Sequence, residues 1–481
     1  MIKGLSNFKA DNPAVGDSMN LMKIYNRSPV FFQNVFTTLI GFKNRRERYS
    51  SDYREALEEY RTEIFETKEQ AEKKQAELLR EFVKFAFENS EFYKDFYKDI
   101  DLEKIRTVDD LKLLPVLEKE TVRQNIERMY TVSENDGIAV NTSGTTGKSM
   151  KFIYTKRDFQ RRMAYLDVFK ERHGFINLSM KKASFNSSKI VPPGQSNKIF
   201  WRDNFAMKQR IYSGYHCQPE NAKYYVENLN KYKPDSLDGY PSSIYVLARY
   251  INDNGIKLDF KPKAIFPTAE TLLPRYKAEI EKAFNCKVFD QYASSEGAPF
   301  VVECECGRLH YCLDSGVIET DENGEMIVTC FETHGTPLIR YKIGDRLVFA
   351  DEGEKCACKS VFPLVERIEG RSIDFIESKS NGRFTSIYLS LVSADFSNSI
   401  KSMQFVQNSA ERVDIFICAD ERYRADSMDK IIIDKLRYSL GEDMDFVIHR
   451  VSNIPKDPSG KYRLVINNYS KPMNGTKSLG I

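Results

Sequence analysis

Neither sign of charge dominates this 481-residue chain: 72 lysines and arginines face 69 acidic residues, for a formal net charge of +3. That balance lacks the basic domain or stripe that nucleic-acid binding requires, so no nucleic-acid partner is expected. No apolar run approaches the roughly 20 residues that span a bilayer, so no transmembrane segment is expected. The most apolar early stretch, Val30 to Phe42, is interrupted by Gln33, Asn34, Thr37 and Thr38. It reads as a partly buried N-terminal helix rather than an interfacial anchor. Met1-Ile2-Lys3-Gly4-Leu5-Ser6 has neither the apolar core nor the cleavage site of a secretory leader, which points to the cytoplasm. Low-complexity linkers and internal repeats are also lacking. Nine cysteines in a reducing compartment are metal ligands, where clustered, before they are disulfides.

Hydrophobic residues make up 41% and charged residues 29%, the balance of an ordinary globular protein. The length exceeds what one hydrophobic core supports, so two or more domains are expected. Residues 51 to 98 carry helical charge runs, with Leu78, Leu79, Phe82, Phe85 and Ala86 at helical spacing. From Asp136 to Asp351 short apolar runs such as Ala264-Ile265-Phe266 and Lys287-Val288-Phe289 alternate with helical stretches, which predicts an α/β body. The last hundred residues read as a separate small α+β unit. Strands are expected at Met403–Val406, Val413–Cys418 and Phe446–Ile448, with a helix over Ala425–Leu440. The boundary is placed at Arg371/Ser372, giving domains 1–371 and 372–481.

After the apolar run Ile138-Ala139-Val140 comes Asn141-Thr142-Ser143-Gly144-Thr145-Thr146-Gly147-Lys148-Ser149. Glycines permit close backbone approach, hydroxyls and amides donate to phosphate oxygens, and Lys148 supplies charge. It is not a Walker A loop, because Thr142 stands where that motif needs its first glycine.

Thr142 to Lys148 resembles the phosphate-binding motif of the adenylate-forming superfamily, which makes acyl-adenylates from a carboxylate and ATP. Five further segments resemble that family's motifs. Asp290-Gln291-Tyr292-Ala293-Ser294-Ser295-Glu296 implies adenine stacking by Tyr292 and Mg²⁺ binding by Glu296. Pro267-Thr268-Ala269-Glu270 is similar to the segment lining the adenine pocket. Arg340-Tyr341-Lys342-Ile343-Gly344-Asp345 implies that Asp345 holds the ribose hydroxyls. Ile368-Glu369-Gly370-Arg371 matches the junction arginine, and Pro455–Arg463 resembles the loop whose lysine, here Lys461, contacts the substrate carboxylate and α-phosphate. The resemblance thus implies Lys461, Glu296 and Thr145 in catalysis. It implies Thr142, Ser143, Gly144, Thr145, Thr146, Gly147, Lys148, Ala269, Glu270, Asp290, Gln291, Tyr292, Ser295, Asp345 and Arg371 in nucleotide binding. The implied fold is a large multi-sheet α/β N-terminal domain with a small C-terminal lid.

Cys304-Glu305-Cys306-Gly307-Arg308-Leu309-His310-Tyr311-Cys312 and Cys356-Ala357-Cys358 offer paired thiolates and an imidazole, the donors of a closed Zn²⁺ site. Phenylacetate-CoA ligase-like enzymes, including the CapK branch linked to capsular polysaccharide biosynthesis, resemble this pattern. On that resemblance Cys304, His310, Cys356 and Cys358 are the zinc ligands, with Cys306 as the alternative to His310. Asp238-Gly239-Tyr240-Pro241-Ser242-Ser243 is also similar to this branch and places Tyr240 and Pro241 at the acyl pocket, with His216 a further pocket residue. The implied reaction takes a small carboxylic acid, ATP and Mg²⁺ to an acyl-adenylate and pyrophosphate, then transfers the acyl group to CoA. Transfer to an amine or hydroxyl, such as an amino sugar, or to a protein thiol are the alternatives. A zinc-stabilised nucleotide-binding protein without catalysis is the reading from another class.

Two departures bear on the second step. Ile373 stands where the family places its hinge aspartate, with Asp374 one residue later. Ser378 to Ser386 keeps one glycine and lacks the usual Gly-x-x-x-x-Pro pattern of the thiol-donor channel.

Overall fold

The computed structural model describes residues 24–141, 150–186, 190–192, 195, 197–214, 216–217, 219–270, 272, 274–322, 324–371, 375–396, 399–454 and 464–469. The chain divides into two compact units between Glu369 and Gly370.

In the first unit the expected helical segment forms Ser51–Thr62 and Lys68–Asn89. The second begins at Thr67, whose side chain caps the Gln70 amide at 3.3 Å. Its buried face is Ala71, Gln75, Leu79, Phe82, Val83 and Ala86, at the 3–4 residue spacing of one helix side. Tyr53, Ala56 and Tyr60 pack against Ala164 and Val168 of the helix Lys156–Arg172. The Tyr53 hydroxyl donates to buried Asp167 at 3.0 Å. The helix Val30–Arg48 is half-buried as expected, but it turns Gln33, Thr37 and Gly41 to the protein and leaves Phe31, Phe32, Val35, Leu39 and Phe42 exposed.

A five-stranded sheet runs Trp201–Asn204, Gln209–Ser213, Lys182–Asn186, Ser236–Gly239 and Ala264–Pro267. Its last four strands are parallel, and Ala183, Phe185, Leu237 and Ile265 are fully buried, as expected of strands covered on both faces. Lys287–Phe289 forms no strand, only a bridge between Val288 and Ile265. A seven-stranded sheet is ordered Gly316–Thr320, Glu325–Cys330, Tyr341–Phe349, Leu364–Arg371, Leu309–Tyr311, Val301–Glu303 and Gln291–Tyr292. Ile138–Asn141 and Lys151–Tyr154 pair as an antiparallel ribbon.

The second unit holds a four-stranded sheet ordered Asp445–Arg450, Arg412–Ala419, Ile400–Ser409 and Val465–Asn467, with the helix Ala425–Leu440. Ile432, Leu436 and Leu440, at i, i+4 and i+8, form that helix's buried stripe. The divergent Ser378–Ser386 segment begins in a hairpin, Phe375–Ser378 with Gly382–Thr385. Gly382 takes φ +77°, a left-handed turn value that favours glycine. Ser378 and Ser380 donate to the Leu440 carbonyl, which ties the hairpin to the helix end.

Candidate active site

Gln291–Tyr292 is an edge strand of the large sheet, and Asp345 lies within the strand Tyr341–Phe349. The two come together: the Tyr292 hydroxyl donates to Asp345 Oδ2 at 2.8 Å across 53 residues of sequence. Burial, then the Asp345 carboxylate, hold the Tyr292 phenol well above its usual range, so it stays a donor. Gln291 Nε2 donates to the Pro267 carbonyl at 3.2 Å, bringing this strand to the Pro267–Glu270 segment. Gln291 Oε1 is buried with no hydrogen-bond partner among the described residues. Ala269 sits in the left-handed region at φ +68°, a strained setting for a residue with a Cβ. Asp290 is shaped by its surroundings. Burial and then the Glu303 carboxylate push it up to about 6, while its Oδ1 accepts from the Gln291 amide at 2.9 Å.

Ser295 and Glu296 occupy the turn after this strand, and Glu296 is 5% exposed. Two residues that no motif flagged hold the turn. Buried Arg162 donates to the Gly297 and Ala298 carbonyls at 2.9 and 3.0 Å, with its guanidinium 4.3 Å from the Phe300 ring centre. Tyr154 donates to the Ser295 carbonyl at 3.0 Å. Gly297, at φ +88°, lies so close to Thr333 that a Cβ would fall 2.3 Å from its methyl group. Arg162→Ala leaves two carbonyls without their charged donor and is expected to cost about 3 kcal/mol or more. A denaturation midpoint within error of wild type would refute that account.

Tyr240 precedes the helix Pro241–Asp253, with Pro241 at its first position, where a missing N–H costs nothing. Gly239, at φ +121°, would put a Cβ 1.8 Å from the Phe185 carbonyl oxygen, so the strand-to-helix turn admits only glycine. His216 is buried, its Nδ1 2.9 Å from the Ser213 hydroxyl and its ring stacked on Phe200. Arg371 ends the strand Leu364–Arg371. Thr142, Ser143, Gly144, Thr145, Thr146, Gly147, Lys148, Lys461, Ile373 and Asp374 lie outside the described residues.

The cysteine loops converge. Donor atoms of Cys304, His310, Cys356 and Cys358 all lie within 4.8 Å of one another, and Cys306 is not among them. Cys304 Sγ is 3.6 Å from Cys356 Sγ, and Cys358 Sγ is 3.3 Å from His310 Nε2. Tetrahedral Zn–S bonds of about 2.3 Å imply sulfur–sulfur separations of roughly 3.8 Å, so the donor spacing fits that geometry. His310 Nδ1 is 3.0 Å from the Phe362 carbonyl. A carbonyl only accepts, so Nδ1 carries a proton and Nε2 is the ring nitrogen turned toward Cys358. Partial burial pushes the Cys356 thiol up, but hydrogen bonds from the Cys358 amide, His310 and neighbouring thiols outweigh it and bring it down to about 6.

Asp158, Glu332 and His334 form a second cluster whose possible ligand atoms lie within 4.8 Å. Here a cation is already in place: Arg161 Nε pairs with Glu332 at 2.6 Å. His334 Nδ1 meets Asp158 Oδ1 at 2.7 Å. Burial pushes the His334 imidazolium down, but the Asp158 hydrogen bond and charge outweigh it and raise its pKa above the ordinary 6.5. Its stabilising contribution is therefore complete below that ordinary value and is lost as pH rises through the higher folded-state one. His334→Gln is expected to remove this limb from a plot of thermal midpoint against pH; an unchanged limb would assign it elsewhere.

This architecture is that of the adenylate-forming ligases. A structure of 2-hydroxyisobutyryl-CoA ligase with 2-HIB-AMP and CoA in the thioesterification state matches with a TM-score of 0.54 at 17% identity, covering 83% of this chain and 90% of that one. The postadenylation state of that enzyme with 2-HIB-AMP matches with a TM-score of 0.53 at 16% identity, covering 82% and 89%. At the sequence level, the CapK C-terminal domain family matches residues 376–468. Protein CapK of Staphylococcus aureus is 39% identical over 453 residues, covering 92% of this chain and 99% of that protein. The chain belongs to the CapK family. Indoleacetate–lysine synthetase of Pseudomonas savastanoi is 23% identical over 257 residues, covering 50% of this chain and 61% of that protein.

Proposed function

We propose that this protein adenylates a small carboxylic acid with MgATP, releases pyrophosphate and passes the acyl group to CoA. The hydrogen bond between Tyr292 and Asp345 carries the reading. It brings an aromatic face suited to adenine and a carboxylate suited to a ribose diol to one point, beside the turn bearing buried Glu296. A carboxylate is a hard oxygen ligand, so Glu296 fits Mg²⁺, which when bound would neutralise phosphate charge. Gln291 Oε1, buried and unpaired among the described residues, supplies a hydrogen-bond acceptor beside the adenine segment. Lys148 and Thr145 are assigned to the phosphates, and Lys461 to the charge that grows as the carboxylate attacks the α-phosphorus. Such a reaction is driven by positioning and fixed charge and needs no covalent enzyme intermediate.

Cys304, His310, Cys356 and Cys358 are assigned a structural Zn²⁺: four protein donors leave no open position for substrate. The likeness to a protein named for joining indoleacetate and lysine favours a second reading, in which an amine replaces CoA. The departures at Ser378–Ser386 support that reading too, since this region builds the thiol channel in CoA-dependent relatives. Transfer to a hydroxyl or a protein thiol would use the same first step.

Carboxylate-dependent ATP–pyrophosphate exchange over a broad acid panel tests the first step. Exchange with none of them, in protein that binds ATP, would leave only nucleotide binding. With the active acid known, a thioester formed only when CoA is present supports the first reading. An amide formed without CoA replaces it with the second.

A further inference from the structure

The helix Val30–Arg48 is mounted with its polar side inward. Arg202 Nε donates to Gln33 Oε1 at 2.5 Å, the Asp203 amide donates to Asn34 at 3.0 Å, and the Phe205 amide donates to Thr38 at 3.2 Å. Gly41 meets Asn204 so closely that a Cβ would fall 2.0 Å from its side-chain oxygen. These contacts fix the rotation of the helix about its axis. Phe31, Phe32, Val35, Leu39 and Phe42 consequently face away from the protein. At 3.6 residues per turn they fall within an arc of about 100°. Each is between 42% (Val35) and 71% (Phe31) exposed, and Phe205, also 71% exposed, lies beside them through its bond to Thr38. An ordinary surface helix has its apolar stripe facing the core, so this reversal leaves a continuous apolar band without a partner on the described protein.

The charge around the band selects its occupant. Between Ile24 and Ser50 there are five basic residues, Arg27, Lys43, Arg45, Arg46 and Arg48, against one acidic residue, Glu47. Glu47 is itself paired with Lys43 at 3.5 Å. Both ends of the band are therefore basic, with Arg27, Arg45 and Arg46 exposed. A second copy docked across a two-fold axis would set like charges against one another in either alignment. Anionic lipid headgroups match the arginines, while phenylalanine and leucine side chains enter the acyl boundary beneath them. No described helix is long and apolar enough to cross a membrane, which suits a helix lying in the interface plane.

We propose that the outward face of Val30–Arg48, with Phe205, seats this protein on an anionic bilayer surface. On this proposal the half-buried helix expected from the sequence also serves as an interfacial anchor.

Co-sedimentation of the full chain with phosphatidylglycerol–phosphatidylcholine vesicles tests the proposal, with pure phosphatidylcholine vesicles as control. The anionic vesicles should bind the protein, less so as salt rises, and the neutral ones far more weakly. Leu39→Glu or Phe42→Glu should weaken binding about tenfold or more, the scale of withdrawing one large apolar side chain. Arg27→Glu with Arg46→Glu should weaken it through charge alone. These side chains are exposed, so circular dichroism and the thermal midpoint should be unchanged; if either glutamate variant is unstable, Phe31→Ser provides the same reading. Absence of binding to anionic vesicles, or wild-type binding by the stripe variants, would overturn the proposal. So would a stripe-dependent dimer in light scattering that ignores vesicles, which would assign the face to self-association.

Discussion

Glu296→Gln is expected to lower carboxylate-dependent ATP–pyrophosphate exchange by roughly 10²–10³-fold, the scale of deleting one preorganised electrostatic contact. The substitution keeps the side chain's shape and removes its negative charge. Glu296 is 5% exposed, on a turn fixed by Arg162 and Tyr154, so little backbone adjustment is available to bring another carboxylate to its place. A Mg²⁺ ligand lost in this way should show in kcat and in the Mg²⁺ dependence, with the thermal midpoint little changed. Asp345→Asn should act differently. It keeps a hydrogen-bond partner for Tyr292 but weakens acceptance from the ribose hydroxyls, so the KM for ATP should rise more than kcat falls. Exchange at the wild-type rate in Glu296→Gln would remove this residue from the reaction. If Glu296→Gln and Lys461→Ala both exchanged normally, adenylation by this site would be refuted.

How much of this was legible beforehand depends on whether the determining contacts are local. The helix Ala425–Leu440 and the strands Ile400–Ser409, Arg412–Ala419 and Asp445–Arg450 follow from periodicities of 3.6 and 2 that short windows contain. Lys287–Phe289 carries an apolar pair as Ala264–Phe266 does, yet it joins the open edge of Ala264–Pro267 only through the bridge between Val288 and Ile265, a difference that apolar character alone does not signal. The Tyr292–Asp345 contact joins two motifs that were each readable, although their meeting was not. Arg162 gave no signal at all. It reads as one more charge in Arg157–Arg172, and its role exists only because the Gly297–Ala298 carbonyls approach it from 135 residues away.

The helix Val30–Arg48 shows how a correct local reading can mislead. Phe31, Phe32, Val35, Leu39 and Phe42 do fall on one side, but apolar periodicity is silent about which side the protein covers. Here Asn204, Arg202 and Asp203 provide a polar seat, and the small or polar Gly41, Gln33 and Asn34 occupy it. A similar limit applied to the cysteines. Spacing left Cys306 and His310 as alternatives, and the structure gathers His310 with the other three because the strand Leu309–Tyr311 carries its ring under Phe362.

Replacing Cys356 and Cys358 together by serine is expected to abolish stoichiometric zinc in the purified protein and to lower its thermal midpoint by several degrees. The stability argument is one of mass action. A metal that binds the folded chain at a thousandfold excess over its dissociation constant stabilises it by about 4 kcal/mol, and a strong chelator should remove the same contribution from wild type. The four donors come from two segments, Cys304–His310 and Cys356–Cys358, so their loss also releases the link between them. Cys306→Ser is the discriminating control, since Cys306 is exposed and outside the donor group: zinc content should remain at one per chain. His310→Gln, by contrast, should weaken binding, and should do so without changing the Glu296 site directly. Zinc retained in the double variant would mean that other ligands hold it. Zinc absent from wild type, together with a midpoint insensitive to chelator, would make the cluster a set of reduced thiols packed around an imidazole.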